Sequence, residues 1–171
     1  MYFKLITICL SLLLVFSACQ GGDNEATAES KTEDQQSDSE MIRYTILKKG
    51  FNSEIKEGGD LVIKNEAEFD TLWRDLHANI SIMPERPEID FEQEMLVAVF
   101  MGEMPSTGYW VHLDTIYATD KNLIVQATTN TSPDSTSEIF DIPTQPFFIA
   151  VVDKTDLPVQ FDFRSAEDGP R

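Results

Sequence analysis

Cysteine is almost missing from this chain of 171 residues, which holds two, Cys9 and Cys19. Cys9 falls inside Leu5–Phe16, an apolar run behind a lone Lys4. That run is too short and wrongly flanked to span a membrane, and it fits the h-region of a secretory signal over residues 1–18. Removal of the signal leaves one cysteine, so no disulfide is expected within the mature chain. Histidine is as scarce: His77 and His112 stand alone, and neither belongs to a ligand-spaced motif. There is no Gly-rich phosphate loop, no zinc or calcium pattern, and no Gly-x-Ser-x-Gly elbow around Ser106. His112 and Asp114, on one strand face, come nearest to an acid–base or metal pair, and an ordinary exposed pair is the simpler reading. A non-enzymatic protein with no catalytic residue, cofactor or metal is therefore expected. Basic residues are also few, 13 Lys and Arg against 30 Asp and Glu, for a net charge of −17. Such a surface repels phosphates and anionic headgroups, so nucleic acid is not an expected partner and membrane attachment would depend on a lipid.

What is present begins with Phe16-Ser17-Ala18-Cys19, small residues directly before a cysteine. This resembles the lipobox of bacterial lipoproteins. The resemblance implies lipidation at Cys19, attachment to a membrane through that N-terminal lipid, and a place in the bacterial cell envelope, at the outer membrane or cell surface. Gln20–Glu40 has no aromatic or large aliphatic residue and cannot bury enough surface to offset ordering entropy, so residues 19–40 read as a disordered acidic tether. A tether of that length has an end-to-end distance of roughly 25 Å. Its acidic pair Asp23 and Glu25 is similar to the surface-export signals of lipoproteins in Bacteroidetes-type envelopes; a plain solvated linker is the other reading.

Residues 41–171 have the size of one ordinary domain. Ile42–Lys48 alternates as a strand, Gly50 interrupts it before Phe51–Lys56, and Gly58-Gly59 turns the chain into Leu61–Lys64, which suggests an N-terminal hairpin or meander. From Asn65 the period changes. Asn65 with Glu68 makes a capping-box-like start, and Phe69, Leu72, Trp73, Leu76 and Ile80 recur at helical spacing, with Trp73 on the core face. Ser81–Ile89, with Pro84 and Pro87, is an irregular connector. Further strands are expected over Asn122–Thr129, within Ile139–Ile142, over Phe147–Val152, which is apolar on both faces, and over Val159–Phe163; Asn130–Glu138 reads as an exposed loop. The expected fold is mainly β (α+β): an antiparallel sandwich-like or partly open barrel domain of about eight strands with one packed helix.

The stretch Met95–Tyr117 organises the rest. An apolar strand, Leu96, Val97, Val99 and Phe100, ends at Gly102, and a loop of Pro105, Ser106, Thr107 and Gly108 leads to Tyr109 and Trp110. The two strands read as a hairpin-like unit. The fixed φ of Pro105 and the permissive φ of Gly108 would give the tip one defined shape. If Val111 and Leu113 point inward, so does Tyr109, while Trp110 shares the outer face with His112 and Asp114. In a binding reading, Trp110 and Phe147 or Phe148 are aromatic anchors on a preorganised loop. In a purely structural reading, Gly108 serves a turn, Tyr109 fills the core and Trp110 lies under the helix.

Several of these pieces occur together and in order: Glu68-Phe69-Asp70-Thr71-Leu72-Trp73, a Pro-containing connector, Asp90-Phe91 before an apolar strand, the Gly102-to-Tyr109 segment, and Thr144-Gln145-Pro146-Phe147. This order resembles the C-terminal domain of the protease-complex subunit PrcB family over most of residues 60–163, although Thr107-Gly108-Tyr109 stands where the family prefers Gly-Gly-Tyr. The resemblance implies a lipoprotein that binds and stabilises, or helps assemble, an envelope protease without catalysing anything itself. The residues expected at the protein-binding tip are Pro105, Ser106, Thr107, Gly108, Tyr109 and Trp110, with Pro146 and Phe147. Pro105-Ser106-Thr107-Gly108-Tyr109 is also similar to a loop of chagasin-type protease inhibitors. There Gln145-Pro146-Phe147 would stand for a second inhibitory loop and Gly58-Gly59, out of order, for a third. A passive ligand-binding envelope module is the remaining alternative.

Overall fold

The computed structural model describes residues 39–133 and 138–168; the signal, Cys19 and nearly all of the tether lie outside the described residues. Among the described residues eight strands and one α-helix follow in the order β1 (Glu40–Met41), β2 (Tyr44–Gly50), β3 (Gly59–Ile63), α1 (Glu66–Asp75), β4 (Glu94–Phe100), β5 (Trp110–Ala118), β6 (Leu123–Asn130), β7 (Phe147–Asp153) and β8 (Val159–Ser165). They form two four-stranded sheets, β2-β7-β4-β3 and β1-β5-β6-β8. Every pairing is antiparallel except β6 with β8, which is parallel.

The central strands β4 and β7 are apolar on both faces because both faces are covered. Leu96, Ala98, Phe100, Phe147 and Ile149 pack with Phe69, Leu72, Trp73 and Leu76 of the helical segment. Their alternates Met95, Val97, Val99, Phe148, Ala150 and Val152 pack with Leu113, Ile116, Leu123, Val125 and Ala127 of the other sheet. Helix, sheet and sheet thus make three layers, the sandwich-like form of the expected fold.

Helix α1 forms where the spacing predicts. Asn65 caps it, its Oδ1 accepting from the Glu68 N–H at 3.0 Å, while Glu68 reaches back to accept from the Lys64 N–H at 3.0 Å. Trp73 is core, with its indole Nε1–H donating to the Pro84 carbonyl at 3.1 Å. Ile80 lies past the helix end and is exposed, so the apolar stripe stops at Leu76.

Four expectations about connectivity are corrected. β4 and β5 are not a hairpin: β4 pairs with β3 and β7, β5 with β1 and β6, and the segment between them crosses from one sheet to the other. β2 and β3 form no hairpin or meander either, since β7 and β4 stand between them. Phe51–Lys56 is not a strand; Asn52 makes one isolated bridge to Gln145. Ile139–Ile142 forms no strand, and its pairing falls later, where Met104 bridges Thr144. In the first two cases strands adjacent in sequence find their partners among strands distant in it.

Candidate protein-docking site

The registers bring one set of loops to one end of the sandwich. Phe100 lies opposite Phe147 and Gly59, Gly50 opposite Phe147, and Trp110 opposite Asn130. The segments after Gly50, Phe100 and Asn130 and before Phe147 therefore meet there. The Pro105–Gly108 loop is fastened to its neighbours. Met104 and Thr144 exchange backbone hydrogen bonds at 2.8 and 3.0 Å, and the buried Thr144 Oγ1 donates to the Ser106 carbonyl at 2.9 Å. Thr107 binds Phe140 twice, N–H to carbonyl at 3.0 Å and Oγ1 accepting from the Phe140 N–H at 2.9 Å. Asn130 Nδ2 donates to the Gly108 carbonyl at 2.8 Å. Gly108 itself has φ +97°, and a Cβ there would come within 3.0 Å of the Pro133 Cβ. One loop shape is fixed by three segments of chain.

The expected tip residues divide by burial. Pro105 is exposed, and Thr107, Gly108, Tyr109 and Trp110 are half-buried. Ser106 is 7% exposed and turns its hydroxyl to the Thr107 carbonyl at 3.1 Å. Pro146 is fully buried, and Phe147, 3% exposed, stacks on Phe100 with ring centroids 5.7 Å apart. Ser106, Pro146 and Phe147 therefore support the tip from beneath rather than project from it. Trp110 is not under the helix, which covers the opposite sheet. Val111 and Leu113 pack toward the central sheet, so Trp110 and His112 fall on the other side of the pleat.

Trp110 instead borders a groove where the free edges of the two sheets meet. On the side of β5 away from β6, no described strand pairs beside Trp110–Asp114, because β1 reaches only Tyr117 and Ala118. The groove, about 610 Å³, is lined by Lys49, Gly50, Phe51, Trp110, Val111, His112 and Phe147. Tyr44 fastens its flank, its hydroxyl donating to the Asp114 carbonyl at 3.3 Å beside a bulge in β5. Phe51 is 55% exposed, and Phe140 and Ile142 are exposed on the neighbouring loop. Sequence reading missed Phe51 by assigning it to a strand; the signal was an aromatic stranded between Gly50 and a polar run. Exposed aromatics around fixed loops are suited to protein contact. Asp114 accepts from Thr128 Oγ1 at 2.7 Å, and among the described residues no group of three or more His, Cys, Asp or Glu is placed to hold a metal.

Residues 95–153 match the PrcB C-terminal family. The matched segment runs from β4 through β7, so it contains the tip loop, the bridge at Thr144, and the Trp110 and Phe147 sides of the groove. Helix α1, β2 and β3 lie outside it. No curated protein and no solved structure gives a significant match.

Proposed function

We propose that this chain is a lipid-anchored, non-enzymatic accessory subunit that docks on an envelope protease through the loop end of its sandwich. The PrcB C-terminal family match supports association with a protease complex. The observation that carries the docking role is the fastening of Pro105–Gly108 by Thr144, Phe140 and Asn130 beside exposed Phe51 and half-buried Trp110. A loop already held in one conformation loses little entropy on binding, and exposed aromatic rings supply contact area. Lipidation at Cys19 would suit this arrangement. The chain enters β1 at Glu40, opposite Ala118, at the end of the sandwich away from the loops. A chagasin-type inhibitor needs a second projecting loop, and Pro146 and Phe147 are buried.

Affinity purification of the full lipoprotein from its detergent-solubilised envelope tests this reading. Wild type should bring down a protease that retains activity, and Phe51→Ser with Trp110→Ala should reduce its recovery about tenfold, the scale of one hot-spot contact. Equal recovery with both proteins, or no protease with either, contradicts the proposal.

A further inference from the structure

A second groove lies on the opposite edge of the helix-covered sheet, outside the family match and independent of the tip. Strand β3 is an edge strand, so every second residue turns its N–H and C=O away from β4. Such a row is a template for a further strand. Its only charged residue is Asp60, and Leu61 is 43% exposed. Between this edge and helix α1 runs a groove of about 570 Å³, with Ile55, Leu61, Ile63 and Leu72 among its apolar lining. Its two charged lining residues are Glu68 and Asp75, both acidic. The bases on this side are engaged elsewhere: the Lys64 ammonium donates to the Thr155 carbonyl at 3.1 Å, and Lys56 pairs with Glu103 at 3.0 Å.

We infer that this groove takes an extended segment of a partner protein, added as a strand along β3, with an apolar side chain in the groove between two basic ones. The charge pattern selects the occupant. A second copy of this chain would bring Asp60, Glu68 and Asp75 against themselves, and like charges juxtaposed across an interface are costly. A cationic segment meets carboxylates instead. The spacing follows from geometry: Glu68 and Asp75 are seven residues apart on one helix, about 10.5 Å along its axis. Residues i and i+4 of a strand are about 13 Å apart and point to one face, and lysine stems absorb the difference. The recognised pattern is therefore Lys/Arg-x-apolar-x-Lys/Arg.

The test uses the full chain, isotope-labelled for amide NMR, and a capped heptapeptide Thr-Lys-Thr-Leu-Thr-Lys-Thr. Saturable shifts should map to Gly59–Ile63 and Glu66–Asp75, and affinity should fall about tenfold for the peptide with Glu in place of Lys, and for Asp75→Lys with the basic peptide. Asp75→Lys lies on an exposed helix position, so its fold is retained, and Leu61→Lys gives an independent check on the strand side. Three results overturn the inference: no binding, shifts confined to the loop end, or equal affinity for the basic and acidic peptides. Self-association of the chain through β3, detected by sedimentation and abolished by Leu61→Lys, also overturns it.

Discussion

Gly108 and Gly102 carry the conformational cost of the connection between the sheets. Gly102 has φ +76°, and a Cβ there would lie 2.7 Å from the Gly58 backbone nitrogen and 2.8 Å from the Lys56 carbonyl oxygen. Gly108→Val should lower stability in urea denaturation by about 1–3 kcal/mol, since a β-branched residue is forced to positive φ, and no loss would contradict the loop geometry. Just past the helix C-cap, His77 is buried between two partners. Its Nδ1–H donates to the Trp73 carbonyl at 2.7 Å, and its Nε2 accepts from Lys48 Nζ at 3.1 Å in the tautomer that satisfies both. Lys48 Nζ also lies 5.3 Å from the centroid of the Trp73 ring. His77→Leu should cost about 1–3 kcal/mol by leaving the Lys48 contact unmade, and a Lys48→Met background should shrink that cost in a double-mutant cycle. An unchanged cost in that background would mean that the pair is not coupled.

At the scale of elements, α1 was legible because its signals are local: a cap, an apolar period and a connector with prolines. Asn65→Ala should lower stability by about 1 kcal/mol, and Phe69→Ala, at a fully buried position, by about 3–5 kcal/mol in the same measurement. The reverse order would place the helix's stability in its cap rather than its packing. β4 was legible as an apolar core strand, and β7 as a strand covered on both faces, for the same kind of reason, an unbroken apolar run. Their partners were not. Gly and Pro in the segment after Phe100 mark a change of direction, but nothing local states whether the chain returns to the same sheet or crosses to the other. β4 is paired by β3 and β7, which fill both its edges and leave no place for β5. The parallel pairing of β8 with β6 was hidden likewise, because β7 between them in sequence belongs to the other sheet.

At the scale of the whole molecule, the loops that meet at one end come from stretches far apart in sequence. Pro105 to Trp110 was legible as a shaped loop, yet its fastening depends on Asn130 and Thr144, in stretches that read as a loop and a turn, and on Phe140, in a stretch that read as a strand. Phe147, expected as an anchor, is 3% exposed at the side of the groove, because a phenylalanine in an apolar strand reads the same whether it faces a partner or a core. Thr144→Val removes one buried hydrogen bond and should speed amide exchange at Ser106–Gly108 while leaving β4 and β7 protected; exchange unchanged in the loop would mean that Thr144 does not hold it. The most direct test of the central claim places a photocrosslinking residue at Phe51, at the loop end, or at Gln160, on β8 near the opposite end, in the full chain in its own cells. A crosslink to a protease from position 51 and none from position 160 is predicted. A protease crosslink from position 160 alone, or from neither position, would contradict it.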